Sequence, residues 1–257
     1  MDNTTSATNK NYQPETLSGK RILITGGTTG IGRTTALLLA EQGATVMLFG
    51  RHAPELEDTL QQFREKNLEK QVHGFTADIA TEAGIRQVFE QVDQQMSGLD
   101  ILINNAGLPF GGVSEGSYKD WQYLVNTNLL SYMACSQEAI RRMQPQQKGQ
   151  IVFIGSLSAK VRTADSSVYS ATKAGVQAFA EALRKETISQ GIKISLIEPG
   201  LVDTDLLDMD AAKRTELLQQ NKMLITDDIA SCVAYILTQP WRSNFMMARV
   251  APVQQEV

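Results

Sequence analysis

The chain has only two cysteines in 257 residues, Cys135 and Cys232, far apart and each in a stretch patterned for helix. A disulfide framework is therefore excluded as the source of stability. A reducing, cytoplasmic setting is the default, and both thiols read as small core hydrophobes. Positive charge is also short: 24 Lys and Arg against 28 Asp and Glu leave a formal net charge of −4. No basic field is available to recruit nucleic acid or an anionic membrane. No apolar run reaches the roughly 18 residues that a transmembrane helix needs. The polar stretch from Met1 to Glu15 lacks the apolar segment expected of a secretory signal. What remains is ordinary: 42% hydrophobic and 20% charged residues, in a chain long enough to bury a full core.

Residues 1–18, rich in Asn, Thr and Ser, are expected to form a flexible tail, and residues 19–257 a single domain. From Lys20 onward, short apolar runs alternate with longer amphipathic stretches. The runs at 21–25, 45–49, 72–77, 101–103, 151–154, 192–197 and 245–250 predict strands. The stretches at 31–42, 55–66, 82–96, 120–143, 166–190 and 227–237 predict helices. Strands with almost no polar alternation suit a parallel sheet covered on both faces, so the expected class is α/β with a doubly wound sheet. Leucine and methionine recur through 201–226, and this segment is expected to form a lid over a substrate.

The stretch Tyr169-Ser170-Ala171-Thr172-Lys173 places a phenol and an ammonium four residues apart. On a helix that spacing sets both on one face. A free phenol has a pKa of about 10, and a nearby ammonium lowers it, which would make the pair a proton donor and acceptor for a carbonyl or alcohol oxygen. Taken alone, the same residues also fit a half-buried helix tyrosine beside a solvated lysine. Between the first predicted strand and helix lies Thr25-Gly26-Gly27-Thr28-Thr29-Gly30-Ile31-Gly32, a glycine turn of the kind that brings backbone N–H groups to a pyrophosphate. After the second strand stands Arg51, with no acid until Glu55. An acid there would bind a ribose 2′-hydroxyl, whereas arginine suits a 2′-phosphate, so NADP(H) is expected over NAD(H). Asp78 follows the third strand, where it would accept from an adenine amino group or close a turn. Asn104-Asn105-Ala106-Gly107 follows the fourth, at the expected ligand crevice.

These residues, joined by Asn128, by Ser156 thirteen residues before Tyr169, and by Pro199-Gly200 with Thr204, make the chain resemble a classical short-chain dehydrogenase/reductase across about residues 18–250. Glu198-Pro199-Gly200-Leu201-Val202 and the ending with Pro252 and Gln254 resemble the branch of 3-hydroxy acid, serine-type dehydrogenases. The resemblance implies a Rossmann-type sheet of about seven strands and a frequent dimer or tetramer built on the two long helices. It implies that Gly26, Gly30 and Gly32 bed the pyrophosphate, that Asp78 meets the adenine and Asn105 the adenosine-side ribose, and that Thr28, Ile31, Arg51, Ile79 and Val202 complete the cofactor contacts. Lys173 would bind the nicotinamide ribose and Thr204 the carboxamide. Ser156 would hydrogen-bond the substrate oxygen, with Ser158 as a rival. Asn128 would support a water chain behind the lysine, with Asn126 as a competitor. No metal is expected. Leu108, Phe110, Leu157, Val161 and Leu206 are candidate walls for an apolar or mixed ketone, and Lys160 and Arg162 either favour an acid or stand solvated. Two functions lead, an NADP(H)-dependent oxidoreductase on a small carbonyl or alcohol and a dinucleotide-sensing binding protein on the same scaffold, with a dehydratase or epimerase behind them. An intact Ser156, Tyr169, Lys173 and Asn128 set favours the first, because a sensor needs no acid.

Overall fold

The apolar runs become strands because each is covered twice. In the computed structural model, which describes residues 12–207 and 209–255, they form one parallel sheet. Its strands are β1 (Arg21–Thr25), β2 (Thr45–Gly50), β3 (Val72–Thr76), β4 (Ile101–Asn104), β5 (Gly149–Ile154), β6 (Ile192–Pro199) and β7 (Met247–Val250), in the order β3-β2-β1-β4-β5-β6-β7. Successive side chains point to opposite faces. Leu23, Met47, Leu102, Ile151 and Ile194 therefore enter one core layer, while Ile22, Ile24, Val46, Ile103 and Val152 enter the other.

The helices are α1 (Gly30–Glu41), α2 (Ala53–Glu65), α3 (Glu82–Gln95), α4 (Tyr118–Val125), α5 (Ser131–Met143), α6 (Ser167–Thr187), α7 (Ala211–Gln219) and α8 (Thr226–Leu237). The first layer is closed by α3, α5 and α6, and the second by α1, α2 and α8. Strand order reverses between β1 and β4, which opens a crevice at the carboxyl ends of the strands. Among the described residues, no helix is long and apolar enough to cross a membrane.

Three expectations need correction. The packed body begins before residue 19: Leu17 is 3% exposed in the second core layer, and Glu15 N–H donates to Thr238 O at 2.8 Å. Residues 1–11 of the expected tail lie outside the described residues. The helix expected over 120–143 contains a π turn, Asn126–Leu130, between α4 and α5, so its face is rotated by the extra residue. The helix expected to reach residue 190 ends at Thr187 and closes through a 3₁₀ turn, Ile188–Gln190, at Gly191 with φ +65°.

Candidate active site

β1 ends at Thr25, and the chain turns at Gly26, whose φ of +63° favours glycine. A Cβ there would lie 2.8 Å from the Ala106 Cα, so the turn and the end of β4 approach closely only without a side chain. The buried Thr25 hydroxyl accepts the N–H groups of Asn105 and Ala106, each at 2.9 Å. Asn105 Nδ2 donates in return to Thr25 O (3.1 Å) and Gly26 O (2.9 Å). That amide nitrogen is thus committed to the turn, and any ribose contact falls to the remaining atoms of Asn105. Thr29 gives α1 no side-chain cap, and its first turn holds no acid. Gly30 and Ile31 line the crevice there, so the leading N–H groups are open to an anion. Gly32 stands back from the crevice. A Cβ on it would crowd Gly26 O and come within 2.6 Å of Asn105 Nδ2, so this glycine lets α1 pack against the turn rather than line the site.

At one end of the crevice, Arg51 follows β2 and Asp78 follows β3. Asp78 Oδ1 accepts Ala80 N–H at 3.0 Å, closing a turn, while Oδ2 accepts the Tyr123 hydroxyl at 2.9 Å. That hydroxyl also accepts from Arg51 Nη1 at 2.9 Å. Thr28 and Ile79 line the same end. Glu55 lines it too, with Oε2 buried and without a hydrogen-bond partner.

At the other end, α6 supplies Tyr169 and Lys173, and the turn after β5 supplies Ser156. Ser156 Oγ accepts Ser158 N–H at 3.1 Å, and Ser158 also lines the crevice. Lys173 is 4% exposed; its Nζ donates to Ile154 O at 3.2 Å and lies 5.8 Å from the Tyr169 ring centroid. Burial lowers the Lys173 ammonium to about 8. Burial also pushes the Tyr169 phenol above its ordinary value, with hydrogen bonding to Ser156 pulling the other way. This corrects the expectation that the ammonium makes the phenol acidic. In this structure desolvation dominates, and the phenol keeps its proton at neutral pH.

Asn128 is fully buried in the π turn and lies outside the lining. Its Oδ1 accepts Leu108 N–H at 2.8 Å and its Nδ2 donates to Leu108 O at 2.9 Å, which pins the loop after β4 behind Lys173. Asn126 Nδ2 instead donates to Ala80 O at 3.2 Å. Val202 and Thr204 complete the lining after β6, and a Cβ on Gly30 would sit 3.4 Å from the Thr204 side chain.

The crevice encloses ≈ 630 Å³. Of the expected walls, Leu108, Phe110, Leu157 and Leu206 line it, whereas Val161 is exposed outside it, as are Lys160 and Arg162. Sequence reasoning passed over Tyr123, the clamping role of Thr25, and Gln255. Gln255 reaches the crevice from the chain's end, where its Oε1 accepts Leu201 N–H at 3.1 Å. No local pattern marks Tyr123 or Gln255, since the fold alone brings them to the site.

Comparison with known proteins agrees with this fold. The sequence model of the short chain dehydrogenase family matches residues 20–215. An uncharacterized oxidoreductase of Staphylococcus aureus is 32% identical over 238 residues, covering 92% of this chain and 99% of that protein. Among solved structures, a closed serine dehydrogenase complexed with NADP+ is similar with a TM-score of 0.81 and 27% identity, covering 92% of this chain and 96% of that one. An actinorhodin polyketide ketoreductase variant with NADPH is similar with a TM-score of 0.82 and 27% identity, covering 91% and 96%.

Proposed function

Because the chain belongs to the short-chain dehydrogenase family of oxidoreductases, we propose that it interconverts a carbonyl and a secondary alcohol, with NADP(H) held in the crevice. The observation that carries this reading is the convergence of Tyr169, Lys173 and Ser156 with the uncapped N-terminus of α1 along one crevice. The residues fit a dinucleotide. The α1 N–H groups and the side-chain-free Gly26 turn suit a pyrophosphate, and Arg51, partnered by a phenol rather than a carboxylate, suits a 2′-phosphate. The NADP+ and NADPH bound in the similar structures support the same choice.

NADPH supplies the hydride when bound; the proton and the positioning fall to the chain. Tyr169 keeps its proton at neutral pH and gives it to the substrate oxygen, while the Ser156 hydroxyl hydrogen-bonds that oxygen as charge develops on it. Lys173 binds the nicotinamide ribose hydroxyls, and Val202 and Thr204 hold the carboxamide. Residues 201–226 act as a lid over the substrate.

Beyond Lys173 and Arg51, no lysine or arginine lines the crevice among the described residues, and its substrate end carries Leu108, Phe110, Leu157 and Leu206. The substrate is therefore a neutral, largely apolar ketone or its alcohol rather than an acid. The enzyme works in a reducing, cytoplasmic setting as a homo-oligomer built on α4, α5 and α6. Following NADPH absorbance across neutral ketones, aldehydes and 3-oxo acids tests the reading. Turnover of neutral ketones ahead of acids is expected. Tight NADPH binding with no turnover across the panel would point instead to a nucleotide sensor.

A further inference from the structure

The hydroxyl of Tyr123, on α4, is the middle of a three-residue chain. It donates to Asp78 Oδ2 at 2.9 Å and accepts from Arg51 Nη1 at 2.9 Å. The order is forced. An ionised carboxylate only accepts and a guanidinium only donates, so the phenol's single proton goes to Asp78 and its lone pair faces Arg51. Asp78 is itself held at Oδ1 by Ala80 N–H. The Arg51 guanidinium carbon also lies 5.7 Å from the Tyr123 ring centroid, within reach of a cation–π contact. Burial and the neighbouring Asp78 both raise the Tyr123 phenol, which keeps the donor protonated.

We propose that Tyr123 is a positioning residue that sets the preference for a 2′-phosphorylated cofactor by fixing the Arg51 guanidinium at the adenosine end of the crevice. The proposal rests on the NADP(H) reading above. Arg51 is solvent-exposed, and a free arginine side chain loses much rotamer freedom when it grips an anion. Tyr123 removes part of that freedom beforehand. It engages Nη1, which leaves Nε and Nη2 available for the fork-like grip on phosphate oxygens. The phenol is also neutral. A carboxylate in its place would position Arg51 equally well but cancel the charge that the 2′-phosphate needs. Of the two carboxylates at this end, Asp78 reaches Arg51 only through the phenol, and Glu55, whose Oε2 is buried without a partner, makes no ion pair with Arg51.

Tyr123→Phe keeps the ring and removes the oxygen. Dissociation constants and KM for NADPH and NADH would be measured for the parent, Tyr123→Phe, Arg51→Ala and the double variant. Loss of the Asp78 partner affects both cofactors alike, because they share the adenine, so the ratio of the two isolates the Arg51 arm. NADPH affinity is expected to fall about 3- to 10-fold more than NADH affinity, the range of one hydrogen bond. The loss is expected in KM for NADPH rather than in kcat, and the differential loss disappears when Arg51 is already alanine. Equal weakening of both cofactors, or an undiminished differential in the Arg51→Ala background, overturns the proposal while leaving the NADP(H) reading intact. An Arg51→Ala variant with an unchanged NADPH/NADH ratio overturns both.

Discussion

Lys173 has a backbone carbonyl rather than a carboxylate as its partner, and burial takes its ammonium down to about 8 from the usual 10.5. The folded value lies below the unfolded one. Between about pH 8 and 10.5 the unfolded chain therefore holds a proton that the folded chain has shed, and stability rises with pH across that window. Below about pH 8 the full cost stands, on the order of 3 kcal/mol. Lys173→Met is expected to melt at a higher temperature than the parent at pH 7, with the difference shrinking from pH 8 to 10.5. Thermal unfolding across that range checks it, and a pH-independent difference would contradict it. The Tyr169 phenol is raised by the same burial, so reduction should run steadily through neutral pH while oxidation, which needs the phenolate as base, should climb only toward alkaline pH. Initial rates in both directions against pH decide this; an oxidation optimum near pH 7 would oppose it. The Tyr169–Lys173 pair was legible because its spacing is local to one helix, whereas Ser156, in the turn after β5, was marked by the family resemblance. The direction of the phenol's shift was not legible, since spacing records the neighbouring ammonium but not the depth at which both groups sit.

At the level of elements, the segment proposed as a lid is held by polar contacts. Helix α7 has no buried residue. Its Arg214 donates to Asp203 Oδ1 (2.8 Å), Leu207 O (2.6 Å) and Met209 O (3.1 Å), gripping the segment that carries Thr204 and Leu206. A short bridge between Val202 and Leu224 closes the base. Arg214→Ala is expected to raise KM for the carbonyl substrate several-fold, about 3- to 10-fold, as the lid samples open positions. The melting temperature should change little, because α7 adds nothing to the core. Steady-state kinetics beside a thermal melt separates the two effects, and a large melting shift with unchanged KM would assign Arg214 to stability alone. The leucines and methionines of 201–226 suggested a cover but not its fastening, which depends on carbonyls that only the folded chain presents. The π turn at Asn126–Leu130 was hidden for a related reason. One inserted residue barely disturbs a 3.6-residue periodicity, yet it places Asn128 against the Leu108 backbone.

Across the whole molecule, the doubly wound sheet was readable because strands buried on both faces leave unbroken apolar runs, such as Ile101–Ile103 and Ile151–Ile154. Leu17 escaped notice because a single apolar residue in a polar stretch carries no period. Along the two long helical stretches, Ile140 and Phe179 pack against the core, whereas Leu130, Met133 and Tyr118 stay exposed at 50%, 36% and 73%. These exposed side chains lie on one of the two helical stretches of the proposed homo-oligomer. Leu130→Glu is expected to lower the solution mass by one half in sedimentation, and an unchanged mass would remove this face from the assembly.

The account depends most on proton transfer by Tyr169. Single-turnover reduction of a neutral ketone, with saturating NADPH bound to Tyr169→Phe, measures that step with little disturbance of packing. The rate is expected to fall by about 10²- to 10⁴-fold while NADPH affinity stays close to that of the parent. A rate within about twofold of the parent would contradict the assignment of Tyr169 as the acid.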